Sequence, residues 1–228
     1  MKVPRQDDTI VARATPPGRG GIAVIRLSGP LVGNIAASML GEIPEPRRAE
    51  LREFVDASGE LIDSGIALLF PAPHSFTGED VLELQGHGGA MVSDLLIERA
   101  IALGARIAEP GEFSRRAFLN DRMDLVQAEA IADLIDSGSR SAARAAQRSL
   151  RGDFSAVVMD LNECVTQLRT HVEAAIDFPE EEIVFLQDDA LLERIAGVDR
   201  QFRDLERVVR QGCLLRDGVT VVVAGRPN

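Results

Sequence analysis

The sequence predicts an α+β protein, in which an N-terminal mixed-sheet domain is followed by an incomplete α-helical bundle domain. Two observations carry this prediction. Strand-like runs alternate with Gly- and Pro-rich turns over the first 120 residues. From about Glu112 onward the strand signals stop, and apolar residues recur at three- and four-residue steps, which is typical of amphipathic helices.

The N-terminal part has five strand-like runs and two well-marked helices, separated by breakers such as the Pro16–Gly20 cluster. Ala57–Glu60 predicts a hairpin loop with Gly59 in it. The predicted strands are Thr9–Arg13, Gly21–Leu27, Arg52–Asp56, Leu61–Phe70 and Val81–His87. The predicted helices are Pro30–Leu40, which ends at Gly41, and Ala90–Leu103.

The following part reads as helical throughout. Ser114–Asn120, Leu125–Asp136 and Ser139–Arg151 predict three short helices. Two longer amphipathic segments follow, and the linker between them contains Pro179, which stops a helix. Because two helices cannot bury both apolar seams, we expect further helices from elsewhere in the chain or from a partner.

The last residues change character. Val219–Ala224 is a β-branched run typical of a strand buried on both faces, and Gly225–Asn228 matches the first four positions of a phosphate-binding loop, GxxxxGK[ST]. Taken alone, Gly225 is more simply interpreted as the end of a strand. We therefore expect three parts: residues 1–120, residues 121–215, and residues 216–228 as the first strand and loop start of a truncated α/β domain.

Composition and charge exclude several classes of protein. The 228 residues carry 25 Lys+Arg against 36 Asp+Glu, a net charge of −11, which argues against a general nucleic-acid coat. Cys164 and Cys213 form no CxxC, and the three histidines lack metal-ligand spacing, so we expect no complete metal site. No apolar run is long enough to span a membrane, and the polar N-terminus does not resemble a signal peptide. We expect a cytoplasmic protein with no membrane partner.

Two charged residues interrupt apolar strands. Arg26 lies within Ala23–Leu27, and Glu83 lies between Leu82 and Leu84. Each needs a partner of opposite charge or hydrogen-bonding character if buried. From the residues alone, an ion pair is favoured for Glu83, and an amino-pyrimidine edge of a ligand is the alternative. For Arg26 the choice lies between a protein carboxylate such as Glu83 and a ligand carboxylate.

Arginines recur along one face of the predicted helix Ser139–Arg151. They are Arg140, Arg144, Arg148 and Arg151. A solvated face is the favoured interpretation, and contact with RNA phosphates is the alternative.

Several segments together resemble the tRNA modification GTPase family MnmE, also called TrmE. The similarity runs in order along nearly the whole chain. The matching segments are Asp8–Ala12, Ala14–Gly21, Ser75–Asp80, Leu84–Gly89, Pro110–Ser114, Arg116–Asn120, Gln127–Ile131, Glu173–Phe178 and Val223–Asn228.

The resemblance implies an N-terminal domain similar to the folate-binding domain of aminomethyltransferases, which binds formyl-tetrahydrofolate and forms a homodimer. It implies a helical domain interrupted by a GTPase domain that uses GTP, K⁺ and Mg²⁺ in the full-length protein. With an FAD-dependent partner of the MnmG type, the family adds aminomethyl or carboxymethylaminomethyl groups to the wobble uridine of tRNA.

By the same resemblance, the folate-contacting positions are Arg26, Glu83 and Arg122. Arg122 stands where some members carry Lys. Asn228 corresponds to the loop asparagine that helps hold K⁺ at the nucleotide. The resemblance shifts the expectation for Glu83 from an ion pair to the amino-pyrimidine edge of a pterin.

Three hypotheses follow. The first is an N-terminal fragment of a family member that binds formyl-tetrahydrofolate, dimerises and does not hydrolyse GTP by itself, since Lys2 is the sole lysine and no Gly-Lys-Ser/Thr is present. The second is a stand-alone folate-binding or protein-interaction module. The third, a folate-dependent transferase, is disfavoured because no acid/base pair is identifiable near the site, so no catalytic residue is assigned.

Overall fold

The computed structural model describes residues 8–177, 189–217, 222, 224 and 225. It divides into two compact units, Met1–Met123 and Asp124–Asn228. Three predicted features lie outside the described residues: the potassium ligand Asn228, residues 178–182 of the linker predicted over 177–182, and most of the strand Val219–Ala224.

The first unit is built on a six-stranded mixed sheet with the order β3-β4-β5-β2-β1-β6. Its strands are β1 Ile10–Arg13, β2 Gly20–Ser28, β3 Glu50–Val55, β4 Leu61–Phe70, β5 Val81–Gly88 and β6 Arg106–Ile107. Neighbouring strands are antiparallel except β1 and β6, which are parallel. The five strands expected from the sequence do not include β6, because two residues are too few to show a periodicity.

Three helices accompany the sheet: α1 Val32–Leu40, α2 Ala90–Ala102 and α3 Glu112–Leu119. Helix α1 ends at Gly41 in a left-handed conformation, φ 81°, as the sequence predicts. The core packs α1 and α2 against one face of the sheet. Its fully buried side chains include Ile25, Leu27, Ile35, Met39, Phe54, Leu82, Leu84 and Leu96.

Strands β4 and β5 approach each other too closely for a side chain at Gly65. A Cβ built on Gly65 would lie 2.1 Å from the Gln85 carbonyl oxygen, which is backbone and cannot move aside. Glycine is therefore required there by space rather than by conformational freedom.

The second unit is helical in its described residues. It contains α4 Leu125–Asp136, α5 Arg140–Leu150, α6 Asp153–Asp177 and α7 Asp189–Asp217. Asp124 and Gln127 form a capping box at the start of α4, and Ser139 caps α5. These interactions fix where both helices begin.

The two long helices bury only part of their apolar seams. Leu161 on α6 and Leu191 on α7 are buried, whereas Val157, Ile195 and Phe202 are about half exposed. Within the described ranges, no helix combines the length and the apolar composition needed to cross a bilayer.

Candidate ligand-binding site

Two opposite charges face each other across β2 and β5. Arg26 is in register with Glu83, so both side chains extend from the same face of the sheet, opposite to the face that packs on α1 and α2. Glu83 Oε1 accepts a hydrogen bond from Arg26 Nε at 2.9 Å and lies 2.7 Å from Nη2. The two side chains are 28% and 15% exposed, so each charge is partly desolvated and is stabilised by the other.

The contacts from Arg26 end on one carboxylate oxygen. Among the described residues, no hydrogen bond reaches Glu83 Oε2, and none engages Arg26 Nη1. Glu83 Oε2 can therefore accept a hydrogen bond from a third group, and Arg26 Nη1 can donate one, while the ion pair stays intact.

Two aromatic rings border the Arg26 guanidinium. Its central carbon lies 5.4 Å from the centroid of the Phe76 ring and 5.8 Å from that of Phe113. At these distances the cation is attracted to both rings, which hold it in place beside Glu83. Phe76 is about one-third exposed, so an aromatic surface, a carboxylate and a guanidinium meet at one accessible position.

Arg122 follows α3, and its side chain packs on Gly78 in the loop between β4 and β5 that carries Phe76. Gly78 has φ 81°, and a Cβ built there would lie 3.1 Å from both Arg122 Cγ and Asn120 Cβ. Asn120 Nδ2 donates to the Thr77 carbonyl oxygen at 2.7 Å, which ties the end of α3 to the same loop. The Arg122 side chain is exposed and, in the described part of the chain, makes no ion pair with Glu83.

A buried ionic cluster supports the loop from the inside. Arg116 is 4% exposed; its Nη1 donates to both carboxylate oxygens of Glu79 at 3.1 Å and to the Asp8 carbonyl oxygen at 2.8 Å. Ser28 Oγ donates to Glu79 Oε2 at 2.6 Å and shares a hydrogen bond with the Thr77 hydroxyl. The end of β2, the Thr77–Glu79 loop and α3 are thereby fixed relative to one another.

Glu112 is the most buried acid of this cluster, at 1% exposure. Burial by itself would raise its pKa, but hydrogen bonds from Arg106, the Glu109 backbone N–H and Arg116 outweigh burial and lower the pKa to about 2. Asp8 shows the same balance: burial opposes ionisation, and contacts with Arg106 and Arg116 lower its pKa. Both carboxylates are therefore ionised at neutral pH.

Outside this cluster, the carboxylate of Asp63 supports the end of β5. Asp63 is buried and accepts hydrogen bonds from the His87 backbone N–H at 2.7 Å and the Ser64 N–H at 2.8 Å, and its Oδ1 lies 2.7 Å from His87 Nδ1. Burial raises the Asp63 pKa, and these hydrogen bonds lower it further than burial raises it. The His87 side chain is 73% exposed. The His87 ring is therefore oriented by Asp63 and faces solvent.

The structure thus brings together two of the predicted folate-contacting residues, Arg26 and Glu83, as an ion pair, and it leaves Arg122 apart from them on the adjoining loop. Sequence reasoning missed Phe76 and Phe113 as neighbours of Arg26. The only signal was their position beside glycine-containing turns. In the residues that the structure describes, no group of three or more His, Cys, Asp or Glu is arranged to hold a metal ion.

Comparison with known proteins identifies relatives over almost the whole chain. The model of the GTP-binding protein TrmE N-terminus matches residues 9–122, and the model of the MnmE helical domain matches residues 125–220. Proteins named tRNA modification GTPase MnmE are 57% identical over 223 residues in Chromohalobacter salexigens, 57% over 221 in Methylococcus capsulatus and 58% over 222 in Yersinia pestis.

These alignments cover 98%, 97% and 97% of this chain, respectively, and 49% of each relative. The chain therefore spans about half the length of the curated relatives it matches. Two family models matching in order, with more than half of the aligned residues identical, lead to one conclusion: the chain belongs to the MnmE (TrmE) family of tRNA modification GTPases.

Proposed function

We propose that this chain is the N-terminal portion of a tRNA modification GTPase. In this proposal, the whole protein works with an FAD-dependent partner of the MnmG type and adds aminomethyl or carboxymethylaminomethyl groups to the wobble uridine of tRNA in the cytoplasm. The observation that carries it is the match of both family models in order, residues 9–122 and then 125–220.

The role of this portion is to bind formyl-tetrahydrofolate as one-carbon donor, with an N-terminal domain like the folate-binding domain of aminomethyltransferases, and to form a homodimer. The geometry at Arg26 and Glu83 supports a pterin. Its amino-pyrimidine edge has N–H donors for Glu83 Oε2, which no described residue engages, and its flat ring suits the surface beside Phe76.

A folate also carries carboxylates on its tail. Arg122 is exposed, and its aliphatic stem packs on Gly78, so its guanidinium is available to a carboxylate that lies beyond the Phe76 loop. Arg26 Nη1, which no described residue engages, can donate a hydrogen bond to the same carboxylate or to an acceptor atom of the pterin ring. The Arg26–Glu83 ion pair and ligand recognition are therefore compatible, and the pair holds both groups ready before the ligand arrives.

Nucleotide chemistry belongs to the whole protein. GTP, K⁺ and Mg²⁺ are its proposed cofactors, and Asn228 is the proposed potassium ligand of the loop. This chain by itself should not hydrolyse GTP, because its 228 residues include no Gly-Lys-Ser/Thr. GTP turnover by the purified chain above a no-protein blank would contradict this.

The test is isothermal titration of the full chain with 5-formyl-tetrahydrofolate. Glu83→Ala should weaken binding at least tenfold, since one charge-assisted hydrogen bond is worth about 1.5–3 kcal/mol. Glu53→Ala, which removes an exposed glutamate from β3, is the matched control and should bind as the unaltered chain does. Unchanged affinity after Glu83→Ala would remove Glu83 from the site, and absence of binding by the unaltered chain would refute the folate proposal.

The second candidate is a stand-alone folate-binding or protein-interaction module without GTPase activity. The half-exposed apolar residues of α6 and α7 favour a partner for this part of the chain. If the chain is the N-terminal portion, it should restore tRNA modification in cells that lack the protein when the C-terminal half of a relative is supplied in trans, whereas an independent module should not.

A further inference from the structure

Four arginines form a row along α5, and we call Arg140, Arg144, Arg148 and Arg151 the α5 arginine row. They are spaced by four, four and three residues. Because an α-helix turns by about 100° per residue, the four side chains lie within an arc of about 80°, along about 16 Å of the helix axis. The opposite side of the helix carries alanines, of which Ala146 is buried, so the row faces away from the packed side.

The row has no counter-charges in the described part of the chain. All four side chains are exposed, and none makes an ion pair or a side-chain hydrogen bond with a described residue. Three arginines of α7, which are also exposed, behave differently. Arg203, Arg207 and Arg210 pair with acids three or four residues away on their own helix. Exposure alone therefore does not explain why the row is unpaired.

The surroundings make this concentration of positive charge unusual. The chain carries a net charge of −11, and residues 153–210 contain 14 acidic residues against six arginines. A polyanion is repelled by most of such a surface, and contact is favourable only where cations are concentrated. Each guanidinium also presents a planar fork of N–H donors, which suits phosphate oxygens.

We propose that the α5 arginine row contacts the sugar-phosphate backbone of tRNA. This inference rests on the proposed function, which makes tRNA the substrate of the whole protein, and it names the surface that holds it. The residues between the arginines favour RNA over an acidic protein. Gln147 and Ser141 border the row on either side, and both are polar, whereas protein interfaces centre on aromatic and apolar anchors. Polar side chains beside arginine are suited to phosphate and sugar contacts.

The experiment measures the affinity of the full chain for a fluorescent, unmodified tRNA transcript by anisotropy. The salt concentration is varied over about 50–200 mM, the range in which contacts to the RNA phosphates weaken strongly. The variant is Arg144→Gln/Arg148→Gln/Arg151→Gln. Its matched control, Arg203→Gln/Arg207→Gln/Arg210→Gln, removes the same charge from the paired arginines of α7. Circular dichroism checks that both remain helical.

The row variant should bind tRNA at least tenfold more weakly, and its log–log salt slope should be smaller by about 2 to 3. The control should stay within about twofold, because its arginines are already paired. Equal loss in both variants would mean that net charge alone matters and would overturn the proposal. Absence of tRNA binding by the unaltered chain at about 50 mM salt would also overturn it.

A competition arm separates RNA from an acidic protein. Poly-glutamate at equal charge should displace the tRNA poorly; if it competes as well as unlabelled tRNA does, the row binds acidic polypeptide and the proposal is wrong. Titration with 5-formyl-tetrahydrofolate on the same preparations separates this inference from the proposed function. Normal folate binding with no tRNA binding would overturn the row and leave the folate proposal standing.

Discussion

Arg26 and Glu83 lie 57 positions apart in the sequence, yet they stand directly opposite each other on β2 and β5 and share a half-buried ion pair. Among the described residues, neither side chain makes another ion pair that would replace the one with its partner. Their coupling should therefore be measurable in stability as well as in ligand binding.

The first prediction is a double-variant cycle. Arg26→Met or Glu83→Met alone should lower the free energy of unfolding by about 1–3 kcal/mol, because each leaves a partly desolvated charge unpaired. The double variant should lose less than the sum, because no unpaired charge remains. Urea unfolding of the four proteins measures this, and additive losses would show that the pair is not coupled.

The second prediction concerns acid. The pKa of Glu112 is lowered from 4.5 to about 2 in the folded chain, so its stabilisation is complete above about pH 4.5 and is lost as the pH falls toward 2. Over that window the unaltered chain should lose on the order of 2–3 kcal/mol from this group. Glu112→Gln should be less stable at pH 7 and should show a flatter pH dependence between these values.

The matched control for Glu112 is Glu98→Gln, which changes an exposed glutamate of α2. Its unfolding midpoints should follow those of the unaltered chain at every pH. A Glu112→Gln protein with the same acid profile as the control would contradict the assignment.

The third prediction compares two glycines. Gly65→Ala should destabilise the chain by more than about 2 kcal/mol, because the new Cβ meets the Gln85 carbonyl and forces β4 and β5 apart. Gly33→Ala, within α1, places its Cβ 3.9 Å from Ile43 and should stabilise by about 0.5–1 kcal/mol. Thermal unfolding of both variants gives the test; shifts of the same sign would refute it.

The fourth prediction separates the two residues at the end of β5. Asp63→Ala removes the carboxylate that accepts hydrogen bonds from the His87 and Ser64 backbone N–H groups and should cost about 1.5–3 kcal/mol, the usual worth of hydrogen bonds to a charged group. His87→Ala should cost less than about 1 kcal/mol, since the backbone N–H still donates to Asp63 and the ring is mostly exposed. The order of the two chemical denaturation midpoints decides between them, and a larger loss for His87→Ala would be inconsistent with this geometry.

Local patterns predict most of the secondary structure. Leu61–Phe70 and Leu125–Asp136 begin and end where the sequence places them, because a breaker or a capping residue stands at the ends: Pro71 follows the strand, and Asp124 caps the helix. Strand β6 was missed because it exists through its pairing with β1 rather than through its own two residues.

The site was harder to predict than the elements. Arg26 and Glu83 stand out because a charge on an apolar strand is costly, and that local signal is correct. That they pair with each other depends on the register of β2 and β5, which no local pattern reveals. The positions of Phe76 and Phe113 near Arg26 depend on the loop and on α3, which are held by Glu79 and Arg116.

The ionic cluster has a consequence for synthesis on the ribosome. β1 lies between β2 and β6, and Asp8, at the start of the described chain, meets Arg106 and Arg116, about a hundred positions later. Strands β1 and β2 are thus made well before β6 and α3. Until α3 has left the exit tunnel, one edge of β1 and the carboxylate of Asp8 lack their partners. We therefore expect this unit to complete its sheet only after its last helix has been made, and slow decoding anywhere before α3 to prolong the exposure of the sheet.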